Sequence, residues 1–143
     1  MRKIFLVALV MGLSHMSAVG AAGGGRFGDT HRPNEVNALP GGGFEVVAEL
    51  GDGARQFWCA AGEYARHQLG KSGRDRVYIM AGYGKSITSP GRKGVSFTTQ
   101  PDAALRKLGE GRAQGYSLSI REVGTNRKVN LASSVCVAEL EQY

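Results

Sequence analysis

The chain has 143 residues, of which 42% are hydrophobic and 21% charged, the balance of an ordinary globular domain. This length excludes a multidomain assembly and argues against a large cofactor-enclosing enzyme, so we expect no cofactor. Without Arg2 and Lys3, which belong to a predicted leader, the net charge falls from +6 to +4. The remaining basic residues are scattered from Arg26 to Lys128, which excludes the clustered basic face of a nucleic-acid-binding protein.

Residues 1–22 have the three parts of a secretory signal peptide. Arg2 and Lys3 form the charged start, residues 4–13 form an apolar run, and residues 17–22 supply the small side chains of a cleavage site. An apolar run of this length is about half of what spans a bilayer. We therefore predict cleavage after Ala21 or Ala22, a periplasmic or secreted protein, and no membrane span after cleavage.

Glycine and proline dominate residues 23–43. Two runs of three glycines, at 23–25 and 41–43, flank Pro33 and Pro40. With few apolar side chains to bury, this composition is typical of a flexible arm. We therefore expect a single folded domain over residues 44–143.

The first half of that domain predicts a strand followed by a helix. Residues 44–50 alternate, which places Glu45 and Glu49 together on the solvent face. Residues 54–69 have apolar side chains at helical spacing, with Asp52 as the expected N-cap. Gly62 inside this helix indicates a close approach to the sheet.

The second half predicts three more strands and one or two short helices. The alternating or β-branched segments are residues 75–81, 94–100 and 116–122. A helical turn is expected over residues 102–108, and a short helix from Asn130 through Leu140. The expected fold is α+β: a small, mainly antiparallel sheet of about four strands with one long helix packed on one face.

Cys59 and Cys136 are the only cysteines in the chain. An oxidising compartment favours their pairing, and closing so long a loop stabilises a fold by about 4–5 kcal/mol on the chain-entropy model. Two free thiols, an intermolecular bridge and a catalytic thiolate are the alternatives. We predict the intramolecular disulfide.

Residues 82–94 form a glycine-rich loop that carries the candidate binding residues. The run Gly82-Tyr83-Gly84-Lys85-Ser86 ends like a phosphate-binding loop but has Ile79 where that loop needs a glycine. Cations and hydroxyls close together still suit an anionic ligand. The predicted ligand-binding residues are Lys85, Ser86, Thr88, Arg92 and Lys93. A solvated basic hairpin loop is the alternative.

Catalytic and metal-binding patterns are weak. His67 is the one histidine within the predicted domain, whereas catalytic zinc sites take three protein ligands. We assign no metal site and no catalytic residue. A small exported hydrolase, with His67 as the base for a serine such as Ser86 or Ser134, remains the alternative function.

The helix segment Trp58-Cys59-Ala60-Ala61-Gly62-Glu63-Tyr64-Ala65 resembles a W-C-x-A-G-x-Y-A pattern. This pattern is found in small exported bacterial proteins of unknown function that also share a late cysteine. The resemblance implies an envelope location and no particular activity. We therefore predict a non-catalytic exported binding or accessory protein, whose partner is an anionic envelope component or another envelope protein.

Overall fold

The computed structural model describes residues 23–112 and 117–137, so the predicted signal peptide, residues 1–22, lies outside the described residues. Six strands form one antiparallel sheet that is curled into a half-barrel. The strands are β1 (Gly25–Gly28), β2 (Pro33–Ala38), β3 (Gly43–Val47), β4 (Arg76–Lys85), β5 (Lys93–Thr98) and β6 (Asn126–Lys128). Their order across the sheet is β1-β2-β3-β5-β4-β6.

Three helices accompany the sheet, and two of them are followed by a 3-10 turn. They are α1 (Ala54–His67), α2 (Ala103–Gly109) and α3 (Val129–Ser134), with 3-10 turns at Glu110–Arg112 and Val135–Val137. Helix α1 begins at the expected residue, but its N-cap is Gly53 and not Asp52. Within the described ranges, no helix is both long and apolar enough to cross a membrane.

The expected fold of about four strands with one long helix is wrong, chiefly because residues 23–43 contribute β1 and β2 to the sheet. Val36 in β2 is fully buried, so this segment has apolar surface to bury after all. Gly41 and Gly42 have φ values of +85° and +95° and form the turn between β2 and β3. Gly41 and Gly42 therefore belong to a turn between two strands and not to a flexible arm.

The end of the domain also differs from the expectation. Residues 117–122, the described part of the predicted strand 116–122, form no strand, and the last strand is β6. Helix α3 has Lys128 as its N-cap, two residues before the expected N-cap Asn130. The predicted helix end at Leu140 lies outside the described residues.

The core lies between α1 and one face of the sheet. Helix α1 buries its apolar side at helical spacing, through Phe57, Trp58, Ala61, Tyr64 and Ala65. The ring centroid of Tyr64 lies 4.9 Å from that of Phe27 and 4.5 Å from that of Phe44. Because Phe27 belongs to β1 and Phe44 to β3, this one helix holds both ends of a three-strand segment.

The predicted disulfide is confirmed. Cys59 in α1 is bonded to Cys136 in the 3-10 turn that follows α3, and their Cα atoms are 5.0 Å apart. Gly62 lies one turn further along α1, where an added Cβ would come within 2.5 Å of the Ser133 backbone nitrogen. The close approach at Gly62 is therefore to α3 and not to the sheet.

Candidate functional site

The predicted binding loop is the connection between β4 and β5. Strand β4 extends to Lys85 because two register shifts, between Ile79 and Ala81 and between Ala81 and Gly84, let it curl and continue. Lys85 is the register partner of Lys93. The two lysines therefore face each other where the hairpin ends, and residues 86–92 form the loop beyond them. We refer to residues 85–93 as the hairpin tip.

The loop is folded over the side chain of Glu45. Ser86 Oγ and Thr88 Oγ1 each donate a hydrogen bond to Glu45 Oε1 at 2.6 Å. The backbone nitrogen of Ile87 donates to Oε2 at 2.7 Å, and that of Thr88 to Oε1 at 3.0 Å. Only 1% of Glu45 is exposed. The hydroxyls and amides that were expected to bind a foreign anion thus bind the protein's own carboxylate.

The environment of Glu45 favours its ionised form. Burial by itself would raise the pKa of this carboxyl, and it is the largest single influence. The hydrogen bonds from Ser86, Thr88 and the two backbone amides together outweigh burial and hold the pKa below the ordinary value of 4.5. Glu45 is therefore a buried anion at neutral pH, and its hydrogen bonds are charge-assisted.

Arg92 ties the far side of the loop to strand β2 and to the segment after β3. Its Nη1 lies 2.8 Å from Glu35 Oε2, and its Nη2 lies 3.2 Å from Glu49 Oε1 and donates to the Ala48 carbonyl oxygen at 2.7 Å. Hydrogen bonds from Asn37, first, and then from Ser89 and Arg92 lower the pKa of Glu35 despite its partial burial. The charge of Arg92 is therefore used in contacts within the protein, which connect the loop to β2 and to the segment after β3.

Of the five predicted binding residues, Lys85 and Lys93 are the two whose side chains are exposed and whose charges are not used in contacts that hold the loop. Both are exposed, and neither forms an ion pair with a described residue. They border a surface depression of about 430 Å³, together with Pro90 and Gly91. The structure thus brings all five predicted residues together, but it separates three that hold the loop from two that face solvent.

Sequence reasoning missed the role of Glu45, because it placed this side chain on a solvent face. The alternation itself is correct: Phe44 and Val46 are on the core side and Glu45 is on the other. That other face is covered by the loop. The available signal in the sequence was the hydroxyl-rich loop, since a buried carboxylate needs several donors.

The residues of the hydrolase alternative do not converge. The side chain of His67 is 62% exposed, and its Nε2 lies 3.1 Å from Glu63 Oε2, one turn back on α1. Ser86 donates to Glu45, and Ser134 donates to the Leu131 carbonyl oxygen at 2.8 Å. Among the described residues, no three histidine, cysteine or acidic side chains are grouped as metal ligands.

Compared with protein-family models, curated proteins and solved structures, the chain has no significant match in any of the three.

Proposed function

We propose that this protein is a non-catalytic binding protein of the periplasm or the secreted fraction, and that Lys85 and Lys93 bind an anionic envelope component. One observation carries this proposal. The hairpin tip is held in one shape by the buried carboxylate of Glu45, while its two lysines stay exposed without a partner among the described residues.

Preorganisation is what makes such a small site useful. A flexible basic loop would lose conformational entropy when it ordered around a ligand. Here Ser86, Ile87 and Thr88 are already ordered by Glu45. The backbone positions from which the two lysines extend are therefore fixed before a ligand binds. Because the lysines are exposed, salt screens their attraction, and binding should weaken as ionic strength rises.

The surroundings of His67 support binding over the hydrolase alternative. A general base has to lie within hydrogen-bond reach of the nucleophile that it activates. His67 is largely exposed, and its described partner is the carboxylate of Glu63. A protein partner instead of a polymer would use the same lysines, through acidic side chains of its own.

Removing both lysines tests the proposal. The probe is immobilised polyphosphate, a polymer that offers only anionic groups, and the readout is the salt concentration that elutes the processed protein. Lys85→Ala with Lys93→Ala should elute at lower salt, with binding weakened about two- to thirtyfold, since exposed charge contacts contribute about 0.2–1 kcal/mol each. The thermal midpoint should be unchanged, because neither side chain holds the fold.

A matched control removes the same charge elsewhere. Lys107 and Lys128 are also exposed, and both lie outside the hairpin tip. Lys107→Ala with Lys128→Ala should elute close to the unaltered protein. Equal weakening by both double variants would show that net charge alone retains the protein, and the assignment to the hairpin tip would then be wrong.

A further inference from the structure

A second depression lies beside the hairpin tip, on the same strand. Its volume is about 380 Å³, within the usual size range of small-ligand pockets. We call it the Tyr83 cleft. Its side-chain walls include Asp52, Phe57, Tyr83, Ser119 and Arg121. None of these residues takes part in holding the loop around Glu45.

Tyr83 provides an aromatic wall that is fixed in place. Its ring lies edge-on to Phe57, with the centroids 5.8 Å apart and the planes at 86°. The backbone nitrogen of Tyr83 donates to the Ile120 carbonyl oxygen at 2.8 Å. Phe57 is buried, yet Tyr83 keeps 43% of its surface exposed. An exposed ring held from behind by a buried one is suited to packing against a ligand.

The cleft also presents polar groups of both kinds. Asp52 Oδ2 accepts hydrogen bonds from the Glu49 backbone nitrogen and from Asn34. Its Oδ1 is buried and has no hydrogen-bond partner among the described residues, which is uncommon for a carboxylate. Arg121 is exposed and forms no ion pair with a described carboxylate. The cleft is therefore lined by a carboxylate, a cation and an aromatic ring, and Oδ1, which solvent does not reach, adds no acceptor to its surface.

The Tyr83 cleft and the hairpin tip are continuous along β4. Tyr83 and Lys85 are two residues apart in this strand, and both are exposed. Tyr83 lies within the register shift between Ala81 and Gly84, so what relates it to Lys85 is its distance along the strand, about 7 Å between Cα atoms, and not regular alternation. A ligand that extends from the cleft therefore reaches the paired lysines at the end of the hairpin.

We infer that the anionic ligand is an acidic glycan, with one sugar ring packed on Tyr83. The apolar face of a sugar ring suits an aromatic side chain, its hydroxyls suit Asp52 and Ser119, and its acid groups suit Arg121 and the two lysines. A lipid acyl chain would instead have to lie against the carboxylate of Asp52, which is unfavourable. This inference rests on the proposed function, because it names the ligand of the same surface.

The test compares two anionic polymers, one with sugar rings and one without. The probes are polygalacturonate and polyphosphate, and the readout is the affinity of the processed protein for each. Tyr83→Ala should weaken binding to polygalacturonate about two- to twelvefold, since an aromatic contact contributes about 0.5–1.5 kcal/mol beyond its buried area. Binding to polyphosphate should change less than twofold. Tyr83→Phe keeps the ring and should bind both polymers nearly as the unaltered protein does.

Each outcome separates this inference from the proposed function. If Tyr83→Ala weakens binding to both polymers equally, or to neither, the glycan assignment is overturned while the lysine site stands. If Lys85→Ala with Lys93→Ala leaves both affinities unchanged, the proposed function fails. If the unaltered protein binds neither polymer, both fail.

A second variant covers the case in which Tyr83→Ala unfolds the protein through its contact with Phe57. Arg121→Gln removes one cleft cation whose side chain makes no ion pair with a described residue. It should weaken polygalacturonate binding about threefold and polyphosphate binding less. Equal effects on the two polymers would overturn the glycan assignment.

Discussion

Glu45 is the residue on which the shape of the hairpin tip depends. Its carboxylate receives four hydrogen bonds, two from hydroxyls and two from backbone amides, all from residues 86–88. Without an anion in that position, these four part-buried donors would lose their acceptor, and each donor left unsatisfied costs up to about 1–3 kcal/mol. The loop conformation and the burial of the carboxylate therefore depend on each other: the donors need this acceptor, and the buried charge needs these donors.

The pH dependence of stability follows from the lowered pKa of Glu45. A carboxyl whose pKa is depressed by folding adds stability above its unfolded pKa, here about 4.5, and loses it as the pH falls through the folded value. At neutral pH, Glu45→Gln should lower the free energy of unfolding by about 2–3 kcal/mol. The deficit should shrink progressively below pH 4.5, which urea unfolding at several pH values would measure.

A matched control separates this effect from loss of negative charge in general. Glu110 is exposed and forms no ion pair with a described residue. Glu110→Gln should leave the free energy of unfolding nearly unchanged at every pH. A Glu45→Gln deficit that stayed constant from neutral to acidic pH would argue against an ionised Glu45.

Among the elements, α1 could be predicted well and the strands around it only in part. The spacing of Trp58, Ala61 and Ala65 defines the helix because its buried side is continuous. β1 and β2 gave no comparable signal, since a few apolar residues between glycines and prolines are equally compatible with a linker. Their burial is decided by α1, whose Tyr64 packs on Phe27. Phe27 and Tyr64 are far apart in the sequence, so the local composition around Phe27 does not indicate their contact.

The contact of α1 with α3 provides the element-scale prediction. Gly62→Ala would place a Cβ 2.5 Å from the Ser133 backbone nitrogen and 2.8 Å from the Ala132 carbonyl carbon. Since backbone atoms must move, we expect a loss of about 1–3 kcal/mol in the free energy of unfolding. Thermal or urea unfolding measures it.

Gly111 is the matched control for Gly62, because an added Cβ there would meet no atom of the described residues within 4 Å. Gly111→Ala should leave the unfolding transition nearly where it was. If Gly62→Ala were equally neutral, the tight approach of α1 to α3 would have to be abandoned.

For the whole molecule, contacts between residues far apart in the sequence decide which features could be predicted and which could not. The Cys59–Cys136 bridge was predictable because two cysteines allow one intramolecular pairing, and the predicted export would favour it. The five site residues were predictable as a group because they are neighbours in sequence. Their division into three loop-holding residues and two exposed lysines was not, since it depends on Glu35, Glu45 and Glu49 from other parts of the chain.

The central claim is that Glu45 holds the hairpin tip rigid while Lys85 and Lys93 stay exposed. Amide hydrogen exchange at Ile87 and Thr88 tests it most directly, because both amides donate to this carboxylate and to no strand partner. We predict slow exchange at both amides at neutral pH and a marked acceleration in Glu45→Gln. Exchange at the rate of an unstructured peptide in the unaltered protein would contradict the account.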